Sequence, residues 1–300
     1  MRKPRRPSPG AVVRVVAPCS PFDLARFAAG VEVLAGLGLV PSVTERVYQA
    51  DGFLAGPDAL RAAELVEALC GDGADLLIAA RGGYGSMRVL DEVFRHASAF
   101  EPRALFGFSD VTAVHLLLLR AGLASFHGPN VTTLPQLDAA SLARTGAALT
   151  GRDAEATFTY AGLTPVRGGR AEGTLVAGNL SMLSAMWGTR WAAPLAGAIL
   201  VVEDAGEAPY RIDRMLTQLR MQAEAHRLAG VAFGDLGATS EEDASAVRRS
   251  IDLLASLLPC PVVTGFPAGH GATNFPVPCG ARASLDADAG LLRVLEDPFA

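Results

Sequence analysis

The chain has 300 residues, which is enough for one large domain or two modest domains with real cores. Hydrophobic residues make up 50% of it, charged residues 19%, and the formal net charge is −5 at pH 7. A well-buried globular protein is therefore predicted. The acidic balance argues against a nucleic-acid binder, because a phosphate-binding surface needs a basic excess.

The N-terminal residues and the cysteines indicate where the protein is located and whether it has disulfides or a metal site. The basic run at residues 2–6 is not followed by an apolar signal region, and no stretch approaches ~18 uninterrupted apolar residues. The cysteines form no C-x-x-C pair and do not cluster with histidines; they are Cys19, Cys70, Cys260 and Cys279. We therefore expect a cytoplasmic protein with free thiols, no metal site and no membrane association.

Buried strands alternate with helices through the first half of the chain. The patterns predict strands at residues 12–17, 40–47, 76–80 and 104–106, and helices at 23–37, 59–69, 87–94 and from 111 onward. This alternation is typical of an α/β fold with a parallel sheet and helices on both faces, where sites lie at the carboxyl ends of the strands. We assign residues 1–135 to this N-terminal lobe.

The composition changes over residues 136–170, where Ala, Thr, Gly and Arg dominate and apolar periodicity weakens. We interpret this stretch as a linker between two lobes. Residues 171–300 then form a C-terminal lobe of strands and helices. Its strands are predicted at 173–177, 198–202, 231–233, 262–266, 281–285 and 291–295, and its helices at 179–187, 212–222 and 244–258.

A serine lies in the turn between a predicted strand and an apolar helix, in the segment G-F-S-D at residues 107–110. Such a turn is the geometry of a nucleophile elbow, which exposes the hydroxyl at the carboxyl edge of the sheet. It also places the hydroxyl near a helix N-terminus, where free N–H groups can stabilise an oxyanion. The second glycine of G-x-S-x-G is missing, so the alternative is that Ser109 or Asp110 simply caps the helix.

A serine nucleophile needs a base and a carboxylate that orients the base. His270 lies between two glycines in a loop after a strand, and His127 lies in a loop at the strand edge of the first lobe, where it is a candidate for lining a site. Glu203 ends an apolar strand, where a buried carboxylate is costly without a partner, and an ion-pair or capping role is its alternative. Three polar residues at strand ends, Ser109, Glu203 and His270, together indicate a triad.

The glycine pair at residues 82–83 predicts a backbone that approaches a ligand closely and offers N–H groups. A phosphate loop is disfavoured, because the Lys and Ser/Thr of G-x-x-x-x-G-K-[ST] are missing. The dinucleotide pattern G-x-G-x-x-G is missing as well. We therefore expect no cofactor.

Several motifs extend over nearly the whole chain. In order, they are A-P-C-S-P at 17–21, R-G-G-Y-G-S-M-R at 81–88, G-F-S-D-V-T-A-V-H at 107–115, H-G-P-N at 127–130, G-N-L-S-M-L at 178–183, V-E-D-A-G-E-A-P-Y-R-I-D-R-M-L-T-Q-L at 202–219 and G-H-G-A-T-N at 269–274. With these motifs in this order, the sequence resembles the LD-carboxypeptidases, a serine peptidase family that also contains the microcin-immunity peptidases.

The resemblance implies a Ser-His-Glu triad of Ser109, His270 and Glu203. It implies an oxyanion hole made by the backbone amides of Asp110 and Gly83. It also implies two lobes with the active site between them, the N-terminal α/β domain holding the serine and the C-terminal domain holding the other two residues. Homodimers are usual in the family.

The resemblance also implies a substrate. Members of the carboxypeptidase branch remove the terminal D-alanine from murein tetrapeptides in cytoplasmic cell-wall recycling, by cutting after the L-configured centre of diaminopimelate. Tyr84, Arg81 and His127 are expected to bind this peptide. The terminal carboxylate calls for a nearby cation, for which the sequence offers Arg81, Arg211 and Arg214.

Two other functions remain open at this point. The microcin-immunity branch hydrolyses peptidyl or aminoacyl adenylate-like amides; it ranks second, because the G-G-Y-G-S turn and the E-A-P-Y-R run look closer to the murein branch. A non-catalytic murein-peptide binder ranks third, because a binder has no need of an intact triad. Two departures from the family pattern, Cys19 in place of a serine and Asn130 in place of a methionine, could line the cleft and alter its preference.

Overall fold

The computed structural model describes residues 1–71 and 73–300. Its strands are β1 Val12–Val16, β2 Val40–Ser42, β3 Leu76–Ala79, β4 Ala104–Gly107, β5 Ser125–His127, β6 Thr159–Ala161, β7 Thr164–Arg167, β8 Arg170–Asn179, β9 Ala198–Glu203, β10 Gly230–Phe233, β11 Val262–Thr264, β12 Val277–Cys279, β13 Arg282–Asp286 and β14 Leu291–Val294. Its α-helices are α1 Leu24–Gly36, α2 Asp58–Cys70, α3 Leu90–Phe94, α4 Thr112–Arg120, α5 Ala139–Leu149, α6 Ala154–Thr157, α7 Leu180–Met186, α8 Pro209–Met221 and α9 Glu241–Leu257.

The first sheet has the strand order β12-β5-β4-β3-β1-β2. All neighbouring strands are parallel except β12, which runs antiparallel to β5. Every residue of β3 and β4 is buried, as expected for the central strands of a sheet covered on both faces.

The second sheet has the order β6-β14-β13-β8-β9-β10-β11-β7. Its central strands β8 to β11 are parallel, whereas the flanking strands are antiparallel. Glu203 is the last residue of β9, a strand that is buried along its whole length. The predicted α/β class is confirmed, and its two sheets are both mixed at their edges.

The stretch expected to be a linker contains regular structure. Residues 136–170 hold α5 and α6, and they also supply β6 and β7, which form the two opposite edges of the second sheet. The C-terminal half in turn supplies β12 to the first sheet. β6, β7 and β12 lie at sheet edges and lack the continuous apolar run that marks the equally short central strands β3 and β4, so their sequences do not identify them as strands.

The two sheets are joined where α4 meets the end of β8. The backbone N–H of Asn179 donates to Thr112 Oγ1 over 3.0 Å. A Cβ built on Gly178 would lie 2.6 Å from Thr112 Cγ2, so the backbones approach as closely as a glycine permits. This contact brings the carboxyl ends of β4 and β9 to the same side of the molecule.

Two further expectations concern membrane association and the state of the cysteines. Among the described residues, the helices are all too short or too polar to cross a bilayer. The four cysteines are free, and Cys70 is the one that is partly exposed.

Candidate active site

Ser109 is held in a strained turn between β4 and α4. Its φ is +64°, in the left-handed region, which costs a non-glycine residue about 1–2 kcal/mol. The turn is fixed by the Phe108 N–H, which donates to Asn130 Oδ1 over 3.2 Å. Within the described chain, Ser109 Oγ has no hydrogen-bond partner, and no side chain caps the start of α4. The structure therefore has the geometry of a nucleophile elbow rather than of a capping serine.

The glycine turn lies directly against this serine. A Cβ built on Gly82 would lie 2.9 Å from Ser109 Cβ, and one on Gly83 would lie 2.5 Å from Ser20 Oγ. Gly83 also has a φ of +107°. The Ser20 hydroxyl accepts from the N–H of Tyr84 over 3.0 Å, which fixes the turn on its outer side. No hydrogen bond within residues 1–71 and 73–300 engages the Gly83 amide, which is therefore available to a ligand.

Two buried groups tie the glycine turn to the rest of the first lobe. Asp110 Oδ2 accepts from the Ser86 N–H over 2.8 Å, and the Ser86 hydroxyl donates to the Asp110 carbonyl over 2.6 Å. Arg61, which is 1% exposed, donates to the carbonyl oxygens of Gly85 and Pro18 and forms an ion pair with Asp58. These bonds hold the turn and the elbow in one rigid unit.

Glu203 and His270 form a hydrogen-bonded pair at the end of the second sheet. His270 Nδ1 lies 2.8 Å from Glu203 Oε2, and the carboxylate is completely buried, whereas the imidazole is 31% exposed. The His270 ring packs against Phe108, next to Ser109, with the ring centroids 4.7 Å apart. Because a carboxylate oxygen accepts, Nδ1 carries the proton and Nε2 is left free to act as a base.

The two members of this pair shift each other's ionisation. Burial raises the pKa of Glu203, and the hydrogen bond from His270 opposes that shift. Burial would lower the pKa of His270, but the hydrogen bond and charge of Glu203, together with the charges of Asp204 and Asp235, outweigh it, so the pKa lies above its ordinary value of 6.5. The carboxylate therefore stabilises the imidazolium, as it does in serine hydrolases.

His127 does not line the cleft, so the expectation that it contacts substrate is wrong. Its side chain is completely buried, and Nε2 lies 3.6 Å from Glu203 Oε1, while neither atom has a hydrogen-bond partner in the described part of the chain. Burial, reinforced by neighbouring histidines, lowers the pKa of His127 well below its usual value, so the ring is neutral. The sequence could not show this, because the groups around the ring, Glu203, Phe108 and His115, come from separate elements that only the fold brings together.

A second buried histidine supports the elbow from behind. His115 Nε2 lies 2.7 Å from the Gly107 carbonyl, and Nδ1 lies 2.9 Å from Ser125 Oγ. A carbonyl can only accept, so Nε2 carries the proton and Nδ1 accepts from the serine hydroxyl. Burial lowers the pKa of His115 to about 4, which keeps the ring neutral.

One cavity of about 310 Å³ brings several of the predicted site residues together. Ser109, His270, Gly83 and Arg81 all line it. Arg26 lines it as well, although no motif had marked this position in the sequence. The sequence alone could not identify Arg26, because α1 is brought to the cavity by its contact with a segment more than 100 residues further along the chain.

Tyr84 lies outside this lining. Its ring is 48% exposed and packs edge-on against Phe53, with centroids 5.4 Å apart. Arg211 is likewise outside the lining and pairs with Glu207 over 3.2 Å, while the Arg214 guanidinium lies 5.6 Å from the centroid of the Tyr210 ring. Of the three arginines considered for the terminal carboxylate, Arg81 alone lines the cavity.

The two departures from the family pattern differ in their placement. Asn130 lines the cavity and holds the elbow through the Phe108 amide. Cys19 is completely buried outside the lining, so it does not shape the cleft directly. Burial, together with the adjacent Asp110, raises the pKa of the Cys19 thiol well above its usual value.

Comparisons with known proteins cover both halves of the chain. The N-terminal domain of the LD-carboxypeptidases matches residues 13–128, and the C-terminal domain of the same family matches residues 172–285. The murein tetrapeptide carboxypeptidase of Pseudomonas aeruginosa is 36% identical over 220 residues, which cover 69% of this chain and 70% of that protein.

Two more relatives extend the comparison. The crystal structure of muramoyltetrapeptide carboxypeptidase from Oxalobacter formigenes superposes with a TM-score of 0.84 at 30% identity, covering 96% of this chain and 99% of that chain. The microcin C7 self-immunity protein MccF of Escherichia coli is 24% identical over 306 residues, which cover 90% of this chain and 88% of that protein. The chain thus belongs to the LD-carboxypeptidase family and is a peptidase.

Proposed function

We propose that this protein is a serine LD-carboxypeptidase that removes the terminal D-alanine from murein tetrapeptide in cytoplasmic cell-wall recycling. One observation carries the proposal: the Glu203–His270 hydrogen bond of 2.8 Å reaches the same cavity into which a strained turn presents Ser109. We further propose that the enzyme acts as a homodimer without metal or cofactor.

The proposed reaction passes through an acyl-enzyme. Ser109 Oγ attacks the diaminopimelate carbonyl carbon while His270 Nε2 takes the hydroxyl proton. Glu203 accepts the Nδ1–H bond throughout and stabilises the imidazolium. His270 then gives the proton to the departing D-alanine nitrogen as the C–N bond breaks. A water, deprotonated by the same Nε2, hydrolyses the ester and restores the serine.

The oxyanion of each tetrahedral intermediate is assigned to the amides of Gly83 and Asp110. Asp110 is the second residue of the short helix Ser109–Val111, in the first turn, where N–H groups are free of intrahelical partners. Gly83 lies on a turn that is already fixed by its neighbours, so its amide needs no reorganisation during the reaction. One such donor typically contributes about 10²–10³ in rate.

We propose that each of the two lobes supplies a different part of the catalytic machinery. Residues 1–135 present the nucleophile and the oxyanion amides, residues 136–170 connect the lobes, and residues 171–300 supply Glu203 and His270. The connecting stretch has a structural role as well, because β6 and β7 complete both edges of the second sheet. Under this proposal neither lobe is catalytic alone.

Mass spectrometry of the purified protein incubated with murein tetrapeptide tests the proposal. We expect release of D-alanine by the native protein and a loss of several orders of magnitude in Ser109→Ala. Ser256→Ala is the matched control, because that hydroxyl lies on the exposed face of helix α9 and, among the described residues, bonds only to the Leu253 carbonyl. Release that persists in Ser109→Ala contradicts the nucleophile assignment.

A second candidate function is hydrolysis of peptidyl or aminoacyl adenylate-like amides. The likeness to the microcin C7 self-immunity protein over most of both chains favours it. Cleavage of such an amide by a protein that leaves murein tetrapeptide intact would select this function. Binding of the tetrapeptide without hydrolysis of either substrate would select a binding role instead.

A further inference from the structure

We propose that Arg26 and Arg81 form a carboxylate-binding site on the cavity wall, which takes the free α-carboxylate of the residue that leaves. This inference rests on the proposed function. It names the contacts by which the cleft would recognise a chain end rather than an internal peptide bond. Arg26 is the new member of the pair, since no sequence motif contains it.

The charge of the cavity points to an anionic ligand. Two arginines line it together with Ser109 and His270, and no aspartate or glutamate is among its described lining residues. This local excess of positive charge stands in a chain whose formal net charge is −5. Guanidinium groups that line a cavity beside a serine, with no carboxylate among its described lining residues, favour a planar anion that can accept two hydrogen bonds.

Arg26 reaches the cavity because α1 packs unusually close to residues 131–136. A Cβ built on Gly30 would lie 2.0 Å from the Val131 carbonyl oxygen, so a side chain at this position would push the helix away. Arg26 precedes Gly30 by four residues and therefore lies on the same face of α1. Thr132 and Gln136, from the contacted segment, line the same cavity.

The Arg26 guanidinium is exposed and unengaged. Within residues 1–71 and 73–300 its side chain makes no ion pair or hydrogen bond, although its backbone N–H donates to Asp23 Oδ1 over 2.8 Å in capping α1. A substrate carboxylate would supply the partner that the chain itself does not.

Arg81 is held in place at one edge only. Its Nη1 donates to the Pro21 carbonyl over 2.7 Å, which leaves the remaining N–H groups of the guanidinium for a ligand. Arg81 directly precedes the glycine turn at Gly82 and Gly83. A carboxylate bound to it would therefore lie close to the proposed oxyanion amides, as the carboxylate of a terminal residue must when its own peptide bond is cut.

The test compares the binding of two peptides to full-length Ser109→Ala protein by calorimetry. The peptides are murein tetrapeptide ending in D-alanine and the same peptide ending in D-alaninamide, which lacks the terminal charge. We expect the acid to bind about 10- to 100-fold more tightly, the range of a charge-assisted hydrogen bond. Arg26→Ala and Arg81→Ala in this background should each reduce that preference about tenfold.

Arg211→Ala is the matched control, because Arg211 is exposed, is paired with Glu207 and lies outside the cavity. It should keep the full preference for the acid. Arg81→Lys retains the charge and should keep part of the preference, which separates loss of recognition from loss of folding. Thermal unfolding of each variant checks that the fold is intact.

The outcomes separate this inference from the proposed function. Equal affinity for acid and amide, or a preference unchanged in both alanine variants, overturns the arginine site even if the native protein hydrolyses the tetrapeptide. A preference that depends on the two arginines, in a protein that releases no D-alanine, supports the site and overturns the proposed hydrolysis. Failure to bind either peptide overturns both.

Discussion

Gly82 determines how closely the glycine turn approaches the proposed nucleophile, and Gly82→Ala perturbs that approach by one methyl group. The added Cβ would lie 2.9 Å from Ser109 Cβ, 3.1 Å from Ser109 Oγ and 3.2 Å from the Phe108 carbonyl oxygen. Neither the glycine turn nor the turn that holds Ser109 can shift easily, because a hydrogen bond fixes each of them. The Gly82 carbonyl accepts from the Ser20 N–H over 3.3 Å, and the Phe108 N–H is held by Asn130.

The expected cost follows from these distances. Forcing a methyl group into a close-packed site costs typically about 1–3 kcal/mol, because the neighbours must shift. The φ of Gly82 is not in the left-handed region, so alanine also gains roughly 0.4–1 kcal/mol by restricting the unfolded chain. We therefore expect a net loss of about 1–2 kcal/mol in the free energy of unfolding.

The substitution should affect the catalytic rate more strongly than the free energy of unfolding. The clash falls on Ser109 itself, and a displacement of about 1 Å in a reacting group can cost 10²-fold in rate. We expect kcat for tetrapeptide hydrolysis to fall about 100-fold, with a smaller change in KM. Urea unfolding followed by circular dichroism and steady-state kinetics on the same preparation measure both effects.

Gly36→Ala is the matched control. This glycine ends α1, has no atom within 4 Å of its built Cβ and has an ordinary φ. The same substitution there should leave kcat unchanged and stabilise the protein by up to about 1 kcal/mol. If Gly82→Ala also unfolds at the native free energy and hydrolyses at the native rate, the close approach of the turn to Ser109 is refuted. Lost stability with native kcat would show that Gly82 packs against the serine without positioning it.

Three further variants test the strain and the ionisation of the site. Ser109→Gly should exceed Ser109→Ala in unfolding free energy by up to about 1 kcal/mol in urea, because glycine accepts the φ of +64°; equal stability would argue against the strained turn. The tetrapeptide rate should rise with pH as His270 loses its proton, with a midpoint above 6.5, because the hydrogen bond and charge of Glu203, together with nearby aspartates, outweigh burial and raise the pKa of His270. Glu203→Gln should move that midpoint to lower pH and reduce kcat, and an unmoved midpoint would contradict the coupling. Burial lowers the pKa of His115 to about 4, so below about pH 6.5 the unfolded chain binds a proton that the folded chain does not. The free energy of unfolding should therefore fall by roughly 3 kcal/mol as the pH is lowered to about 4. Urea unfolding at several pH values should show a smaller decrease in the free energy of unfolding for His115→Gln than for the native protein.

The local elements around Ser109 follow from the sequence alone. The apolar run of β4, the G-F-S-D turn and the apolar helix α4 predicted a strand, a tight turn and a buried helix, and the structure has each of them. Other predictions of this kind were less complete. Residues 40–47 form a strand only at Val40–Ser42, because the chain then turns into the short helix Glu45–Tyr48.

The short edge strands and the burial of His127 lay beyond sequence reasoning. Strands β6, β7 and β12 have three or four residues each and lack the continuous apolar run by which an equally short central strand such as β3 is recognised. The sequence pattern indicates that His127 is a polar loop residue, yet it ends β5 and its ring is buried among Glu203, Phe108 and His115. Its neighbour is Glu203 rather than substrate.

The sequence by itself determined the family, the α/β class and the order of the main elements, because apolar periodicity and short motifs are properties of neighbouring residues. Only the tertiary structure decided which of the polar strand ends meet. The 2.8 Å contact between Glu203 and His270, the packing of Gly82 on Ser109 and the arrival of Arg26 at the cavity all depend on sheet order and on close backbone approach. Periodicity tells which face of an element is buried, but the partner of that face is set by packing across residues far apart in the chain.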